Sequence, residues 1–264
     1  MLAKHLLAGA LLACTLATQA APAKPQQAAV ATAHPAATVA GLETLAQGGN
    51  AFDAAVAIAA ALAVAEPYGS GLGGGGFFLL RQGGDKPTYR FLGARERAPL
   101  SAGPDLYRRN GTVQRELSLN GPLAAAIPGL PAALAHLTER YGKLPLTDSL
   151  TPAIRLARDG VGIDRVYRER AEWRLGALRP DPTSAAIFLD QERLPPLHGL
   201  LRQPALVRTL ERLARHGHAG FYGGETARLL LEGVQAGGGV WSARDLRDYR
   251  VVERQPLRVL LDGG

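Results

Sequence analysis

Residues 48–80 read GGNAFDAAVAIAAALAVAEPYGSGLGGGGFFLL, and in this stretch a helix signal and a strand signal meet across a glycine-rich segment. Asn50 is suited to cap a helix, and Asp53 favours its first turn. The predicted helix runs from Ala51 to about Ala65. Because it is apolar nearly all round, we expect it to be buried on every side.

A phosphate-binding loop is one interpretation of the glycine-rich run, residues 69–76. Such a loop needs a Lys-Ser or Lys-Thr pair and a helix N-terminus after the glycines, but a strand pattern follows here. Glycine also lets two backbones approach where a side chain would not fit. We therefore expect the run to let the buried helix and a sheet approach closely.

A hairpin and a series of helices are predicted around this stretch. The strand patterns Phe77–Leu80 and Thr88–Leu92 flank a turn signal, which predicts a β-hairpin. Upstream, Pro35 opens a helix that ends at Gly48, and a last strand pattern covers Val251–Leu261. Further helices are predicted at Pro131–Tyr141, Leu150–Asp159, Arg165–Leu178, Pro204–His216, Glu225–Gln235 and Ser242–Tyr249.

The first residues, Met1–Ala20, have the plan of a secretory signal peptide. Lys4 is basic, Leu6–Ala13 is an unbroken apolar run, and small residues stand at the cleavage position. This pattern predicts a periplasmic or secreted protein. A second interpretation stays open, since Cys14 could become the lipid-bearing N-terminus of a lipoprotein. No later apolar run is long enough to span a bilayer.

The composition argues against several kinds of binding partner and site. The formal net charge is +7, but the arginines are scattered among acids, so nucleic acid is not a predicted partner. Cys14 is the only cysteine, which leaves the exported chain without disulfides. His216 and His218 have no supporting ligands nearby in sequence, so neither a metal nor a cofactor is expected. His34 is expected to cap a helix or to pack against one.

A series of short motifs occurs in order along the exported chain. They are ATAHP (31–35), GGNAFDAAVA (48–57), EP (66–67), SGLGGG (70–75), RERAP (95–99), AIPGLP (126–131), IRLARDG (154–160) and RDY (247–249). In order and spacing, this series resembles the N-terminal part of the gamma-glutamyltransferases.

The resemblance implies both a fold and a reaction. The family consists of N-terminal-nucleophile hydrolases, which are α+β proteins built as a four-layer αββα sandwich. Residues 21–264 would be the N-terminal portion of the large subunit, a single truncated domain in which the sandwich is incomplete. A family precursor cleaves itself before a threonine, whose hydroxyl then transfers the gamma-glutamyl group of a glutathione-like donor to water, an amino acid or a peptide.

Arg95, within ARERAP (94–99), is the one substrate-binding position that the resemblance carries over. In the family this arginine holds the α-carboxylate of the glutamyl substrate, and a planar guanidinium can do so through two parallel charge-assisted hydrogen bonds. A structural ion pair with a nearby acid is the alternative role. Gly93 stands where many relatives have aspartate, which leaves open how Arg95 is braced.

No catalytic residue is expected within this chain, because the family's threonine nucleophile and oxyanion-hole glycines lie further along. The chain alone is therefore predicted to be inactive, and the C-terminal half with the small subunit is its predicted partner. Two alternatives stay open. One is a non-catalytic periplasmic module that binds glutamyl compounds, and the other is a superfamily acylase that processes cephalosporin, glutaryl or poly-gamma-glutamate substrates.

The signal-peptide interpretation predicts the first residue of the exported protein. N-terminal sequencing should find a start at or close to Ala21, because the apolar run and the small residues before this position suit signal peptidase. Recovery of a lipid-modified Cys14 would contradict this result and support the lipoprotein.

Overall fold

The computed structural model describes residues 28–259 of the chain, which form a mixed α+β structure. The predicted signal peptide, Cys14 and the final residues of the last predicted strand lie outside this range. The helices are α1 (Pro35–Ala46), α2 (Ala51–Ala65), α3 (Leu130–Tyr141), α4 (Leu146–Asp159), α5 (Arg165–Leu178), α6 (Pro182–Phe188), α7 (Pro204–His216), α8 (His218–Tyr222), α9 (Gly224–Ala236) and α10 (Ala243–Arg247). The strands are β1 (Gly76–Gln82), β2 (Thr88–Ala94), β3 (Arg108–Arg109), β4 (Thr112–Val113), β5 (Val161–Gly162), β6 (Leu200–Leu201) and β7 (Val252–Arg254).

Helix α2 is buried as its composition predicts. It packs against α1, α3 and α4, and both Val56 and Val64 are fully buried. The many alanines of α2 are small, so three neighbouring helices can approach its backbone closely. The main apolar core therefore forms around this helix and extends to the sheet through Leu80 and Leu92.

The N-terminus of α2 is fixed by a network centred on a buried carboxylate. The Asn50 side chain accepts hydrogen bonds from the N–H groups of Phe52 and Asp53, and Asp53 accepts one from the Asn50 N–H at 2.8 Å. Asp53 also accepts from the backbone N–H groups of Lys143 at 2.9 Å and Leu144 at 3.3 Å. The predicted cap is thus confirmed, and it also ties α2 to the connection between α3 and α4.

The predicted hairpin is confirmed and belongs to a three-stranded antiparallel sheet in the order β1-β2-β7. Leu80 and Leu92 lie on the face that packs on the helices and are buried. On the opposite face, Phe77 and Leu79 are 62% and 69% exposed. Among residues 28–259, these two side chains are thus left mostly open to solvent.

Most predicted helices are confirmed, with differences at particular ends. Helix α4 begins at Leu146, whereas the sequence pattern predicted a start at Leu150. The first turn was missed because it is mostly polar and shows no apolar periodicity. Helix α10 stops at Arg247, before the predicted end at Tyr249. The last strand covers Val252–Arg254 only, and Pro256, which has no N–H to donate to a ladder, follows soon after.

A second, smaller apolar cluster lies apart from the main core. A small satellite cluster joins α5 to the β5-β6 pair through the buried side chains of Ile163, Tyr167, Ala171 and Leu201. None of the helices between residues 28 and 259 is long and apolar enough to cross a membrane.

Replacing Asp53 by alanine should destabilise the protein strongly. The substitution leaves the N–H groups of Asn50, Lys143 and Leu144 without their acceptor at a site where the side chain is fully buried. Since a buried donor left without a partner costs about 1–3 kcal/mol, we expect a loss of about 3 kcal/mol or more in the free energy of unfolding. Urea denaturation measures this change.

Asp148 is the matched control, because it is also a first-turn aspartate but is exposed. Asp148→Ala should cost about 1 kcal/mol at most, the usual contribution of an exposed first-turn charge. Equal losses in the two variants would contradict the structural role given to Asp53.

Candidate functional site

Arg95 lies directly after β2, at the end of the sheet. Its side chain is 72% exposed, and one guanidinium nitrogen lies 3.1 Å from Oε2 of Glu96. The same oxygen is shielded from solvent yet forms no hydrogen bond to any described residue, so the pair is close but poorly aligned. An exposed pair of this kind contributes about 0–1 kcal/mol to stability. The guanidinium therefore has most of its hydrogen-bonding capacity free for a ligand.

The backbone around Arg95 is held much more firmly than its side chain. The Tyr249 hydroxyl donates a hydrogen bond to the Arg95 carbonyl at 2.8 Å. Arg97 exchanges two backbone hydrogen bonds with Ile127, at 3.2 and 2.8 Å. Further along, the Leu100 N–H donates to the buried Asp245 carboxylate at 2.6 Å. The segment that presents Arg95 is thus fixed at three places by residues distant in sequence.

The glycine-rich run makes the closest backbone contacts of this region. The Gly74 carbonyl accepts hydrogen bonds from the N–H groups of Gly129 at 2.8 Å and Leu130 at 3.0 Å. A Cβ atom on Gly75 would overlap the Ala94 carbonyl oxygen, and one on Gly129 would overlap that oxygen and the Tyr249 hydroxyl. The glycines therefore serve close approach, as predicted. The helix that approaches the sheet through Gly74 is α3, however, rather than the buried helix α2.

Tyr249 belongs to an aromatic stack. We use this term for the rings of His218, Tyr222 and Tyr249, with the Arg97 guanidinium at one end. The rings of His218 and Tyr222 are 4.3 Å apart, and those of Tyr222 and Tyr249 are 5.4 Å apart and nearly parallel. The Arg97 guanidinium lies 5.1 Å from the centre of the Tyr249 ring, in cation–π contact. The stack links α8 and the segment after α10 to the residues that follow β2.

His218 is part of this support. Its Nε2 lies 2.9 Å from the Tyr249 carbonyl oxygen, so the neutral ring must carry its proton on Nε2 to donate. Burial, together with the charge of Arg250, lowers the pKa of His218 and favours that neutral form, although the hydrogen bond to Tyr249 acts the other way. His34 caps α1 by accepting from the Ala36 N–H at 3.1 Å, as predicted.

A second polar cluster ties β7 to α3. The Glu253 carboxylate lies 2.9 Å from Nε2 of His136 and accepts a short hydrogen bond from the Tyr141 hydroxyl. These hydrogen bonds hold the pKa of Glu253 below its usual range. The cluster borders a cavity of about 550 Å³ that is lined in part by His136, His218 and Arg250. Residues 28–259 contain no group of three or more histidine, cysteine, aspartate or glutamate side chains that could hold a metal ion.

The structure identifies a brace for Arg95 that sequence reasoning missed. Gly93 contributes no side chain, and the Tyr249 hydroxyl instead holds the backbone of Arg95. The sequence did mark Tyr249 as part of the RDY motif, residues 247–249, but this motif lies far from Arg95 along the chain. Only the fold shows that the two meet.

Comparisons with known proteins show the family of this α+β chain. A family model for gamma-glutamyltranspeptidase matches residues 37–264. The glutathione hydrolase proenzyme of Pseudomonas sp. (strain A14) is 35% identical, with 96% of this chain and 45% of that protein covered.

Solved structures agree with this match. The gamma-glutamyltranspeptidase of Pseudomonas nitroreducens, complexed with L-DON, has a TM-score of 0.83 at 37% identity, covering 91% of this chain and 70% of that one. The Helicobacter pylori gamma-glutamyltranspeptidase has a TM-score of 0.84 at 33% identity, covering 89% and 68%. The chain belongs to the gamma-glutamyltranspeptidase family. It spans under half the length of the curated relative from Pseudomonas sp..

The contact at Gly129 yields a direct test of the site's packing. Gly129 has φ −116°, which alanine adopts easily, so Gly129→Ala probes space rather than backbone conformation. The added methyl must displace both the Ala94 carbonyl and the Tyr249 hydroxyl, and overpacking of this kind costs about 1–3 kcal/mol. Thermal denaturation should show a clearly lower Tm.

Gly176, in the last turn of α5, provides the matched control. Among the described residues, no atom lies within 4 Å of a Cβ added there. Gly176→Ala should therefore leave Tm unchanged or raise it, because alanine favours helix by about 0.5–1 kcal/mol. A normal Tm in Gly129→Ala would show that the backbone contact is looser than described.

Proposed function

We propose that the whole protein is a gamma-glutamyltransferase with hydrolase activity, acting on glutathione-like donors, and that Arg95 binds the α-carboxylate of the glutamyl group. Family membership supports the reaction class, and the name glutathione hydrolase proenzyme of a relative supports the donor. The observation that carries the role of Arg95 is its contrast between an anchored backbone and an exposed, weakly paired guanidinium.

The chemistry of Arg95 suits a carboxylate. The guanidinium offers a planar fork of donors that matches two carboxylate oxygens, so binding also fixes the orientation of the substrate. Glu96 beside it is partly buried and cannot occupy both edges of the fork, since its carboxylate contacts a single nitrogen within ion-pair distance. A carboxylate arriving from solvent could therefore bind Arg95 without first breaking a well-formed salt bridge.

The bond-breaking chemistry belongs, in this proposal, to a part of the whole protein beyond these residues. A threonine exposed by self-cleavage would attack the gamma-glutamyl carbonyl, and its own α-amine would serve as the base. The word proenzyme in the relative's name supports such a maturation step. The residues described here would hold the donor's amino-acid end against that nucleophile.

The four-layer αββα sandwich is proposed on the basis of the exposed sheet face. Phe77 and Leu79 project from β1 away from the helices, and Phe77 stacks on Phe91 at 5.5 Å between ring centres. Apolar side chains clustered on one face of a sheet are typical of packing against another layer. A second sheet formed by the remainder of the protein would cover them.

Export to the periplasm or beyond is proposed from the pattern of Met1–Ala20, with lipidation at Cys14 as the less favoured route. The name of the curated relative from Pseudomonas sp. favours a glutathione-like donor over the acylase substrates, and, as the name of an enzyme, it favours catalysis over a non-catalytic binding module.

Substitutions of Arg95 in the full-length protein test its role. Arg95→Lys keeps the charge but loses the two-pronged geometry, and one charge-assisted hydrogen bond contributes about 1.5–3 kcal/mol, so we expect kcat/KM for a gamma-glutamyl anilide to fall about 10- to 150-fold. Arg95→Ala should cost more. The Tm and the fraction of self-cleaved protein should change little, because the side chain is exposed.

Arg158 is the matched control, since it is exposed and pairs with Glu211 at 3.2 Å. Arg158→Ala should leave kcat/KM unchanged. If Arg95 were instead a structural ion-pair residue, its variants would melt earlier or mature poorly while the surviving protein showed near-normal kinetics. Normal kcat/KM in well-folded Arg95→Ala would end the assignment.

A further inference from the structure

The orientation of Arg95 depends on its backbone, because its side chain has little else to hold it. The guanidinium is 72% exposed and its contact with Glu96 is poorly aligned. The direction in which the side chain leaves the main chain is set by the peptide groups on either side of Arg95. A small rotation of these peptide groups displaces the end of a long side chain several times further than it displaces the Cα atom. Firm anchoring of the backbone would therefore place the guanidinium.

The hydroxyl of Tyr249 supplies that anchor. It donates to the Arg95 carbonyl at 2.8 Å and lies against the bare Cα of Gly129, where no side chain can intervene. Tyr249 is 2% exposed, so water does not compete freely for the bond.

Tyr249 is itself fixed by groups other than Arg95. The Tyr222 ring stacks on one side at an interplanar angle of 5°, and the Arg97 guanidinium lies 5.1 Å from the ring centre. The Tyr249 carbonyl accepts from Arg250 at 2.7 Å and lies 2.9 Å from Nε2 of His218. Since these contacts define the position of the hydroxyl independently, Tyr249 positions Arg95 and not the reverse.

We propose that Tyr249 is a positioning residue for substrate binding, acting through its hydrogen bond to the Arg95 carbonyl and supported by the aromatic stack. This inference rests on the proposed function, in which Arg95 binds the donor α-carboxylate. Tyr249 does not touch the substrate. It reduces the range of directions that the guanidinium samples, and so raises the fraction of molecules in which Arg95 meets the carboxylate with both prongs.

A double-mutant cycle in the full-length protein tests the proposal. Tyr249→Phe keeps the ring and its stacking but removes the hydroxyl. A neutral hydrogen bond is lost, so kcat/KM for a gamma-glutamyl anilide should fall about 2- to 10-fold. Most of the change should lie in KM, because a contact to the non-reacting end of the substrate is made equally in the ground and transition states.

The second arm of the cycle separates positioning from general stability. In the Arg95→Ala background, Tyr249→Phe should change kcat/KM by less than about 2-fold, because the residue through which Tyr249 acts is gone. An equal loss in both backgrounds would overturn the proposal and leave Tyr249 with a structural role. Unchanged kinetics in the single variant Tyr249→Phe would overturn it as well.

Tyr167 offers the matched control. Its buried hydroxyl donates to the Phe188 carbonyl at 2.9 Å, in the satellite cluster that joins α5 to β5 and β6. Tyr167→Phe removes the same chemical group from a hydrogen bond of similar length, and kcat/KM should stay unchanged.

Should Tyr249→Phe fail to fold, Arg97→Gln serves in its place, because it removes the cation over the Tyr249 ring and leaves the hydroxyl present.

Arg97→Gln should raise KM in the native background by a smaller factor than Tyr249→Phe, and have no effect when Arg95 is alanine. Loss of kcat/KM independent of Arg95 would overturn positioning through the stack. Failure of the proposed function is read separately, from the single variant Arg95→Ala alone. Normal kinetics in that variant would contradict carboxylate binding by Arg95, and positioning for it would fall with it.

Discussion

The carbonyl oxygen of Ala94 is the close-packed point on which the placement of Arg95 depends. Gly75 and Gly129 both lie against it so closely that neither position has room for a Cβ atom. Through this contact the start of β1, the end of β2 and the residues before α3 come together at one place. Because interiors pack densely and yield little, a side chain at either glycine would move the very segment that presents Arg95.

The constraint explains why an exposed arginine can be well placed. The residues from Arg95 to Leu100 are mostly exposed, yet their backbone hydrogen bonds reach Tyr249, Ile127 and Asp245. The contact of Gly129 with the Ala94 carbonyl and the Tyr249 hydroxyl brings two of these partners, Ile127 and Tyr249, close to Arg95. The guanidinium is thus available to solvent while the peptide behind it is held by a buried network. A rigid support under a free polar group is what orientation of a substrate requires.

Local features of this structure could be predicted from the sequence, and long-range ones could not. The cap at Asn50, the apolar helix α2 and the hairpin follow from neighbours a few residues apart. In contrast, Tyr249 and Arg95 are 154 residues apart, and no local pattern connects them. Position within a family-like motif identified Arg95 as a candidate, whereas the residue that braces it needed the fold.

Short elements were the other limit of sequence reasoning. Helices α6 and α8 were not predicted, since neither is long enough to show a helical period. Helix α8 matters to the site because it carries Tyr222 and begins at His218, two members of the aromatic stack. The glycine-rich run was interpreted correctly as a place of close approach, but its helical partner was expected to be α2, and the structure shows the start of α3.

The central claim is that Arg95 recognises the α-carboxylate of a gamma-glutamyl donor, and comparing two donors tests it most directly. The full-length protein and its Arg95→Ala variant would be assayed with gamma-glutamyl anilide and with the 4-aminobutyryl anilide, which lacks only that carboxylate. We predict that the native protein prefers the first donor by about 10-fold or more, the value of a charge-assisted hydrogen bond, and that the variant loses this preference. An undiminished preference in Arg95→Ala would contradict the account, because another group would then be recognising the carboxylate.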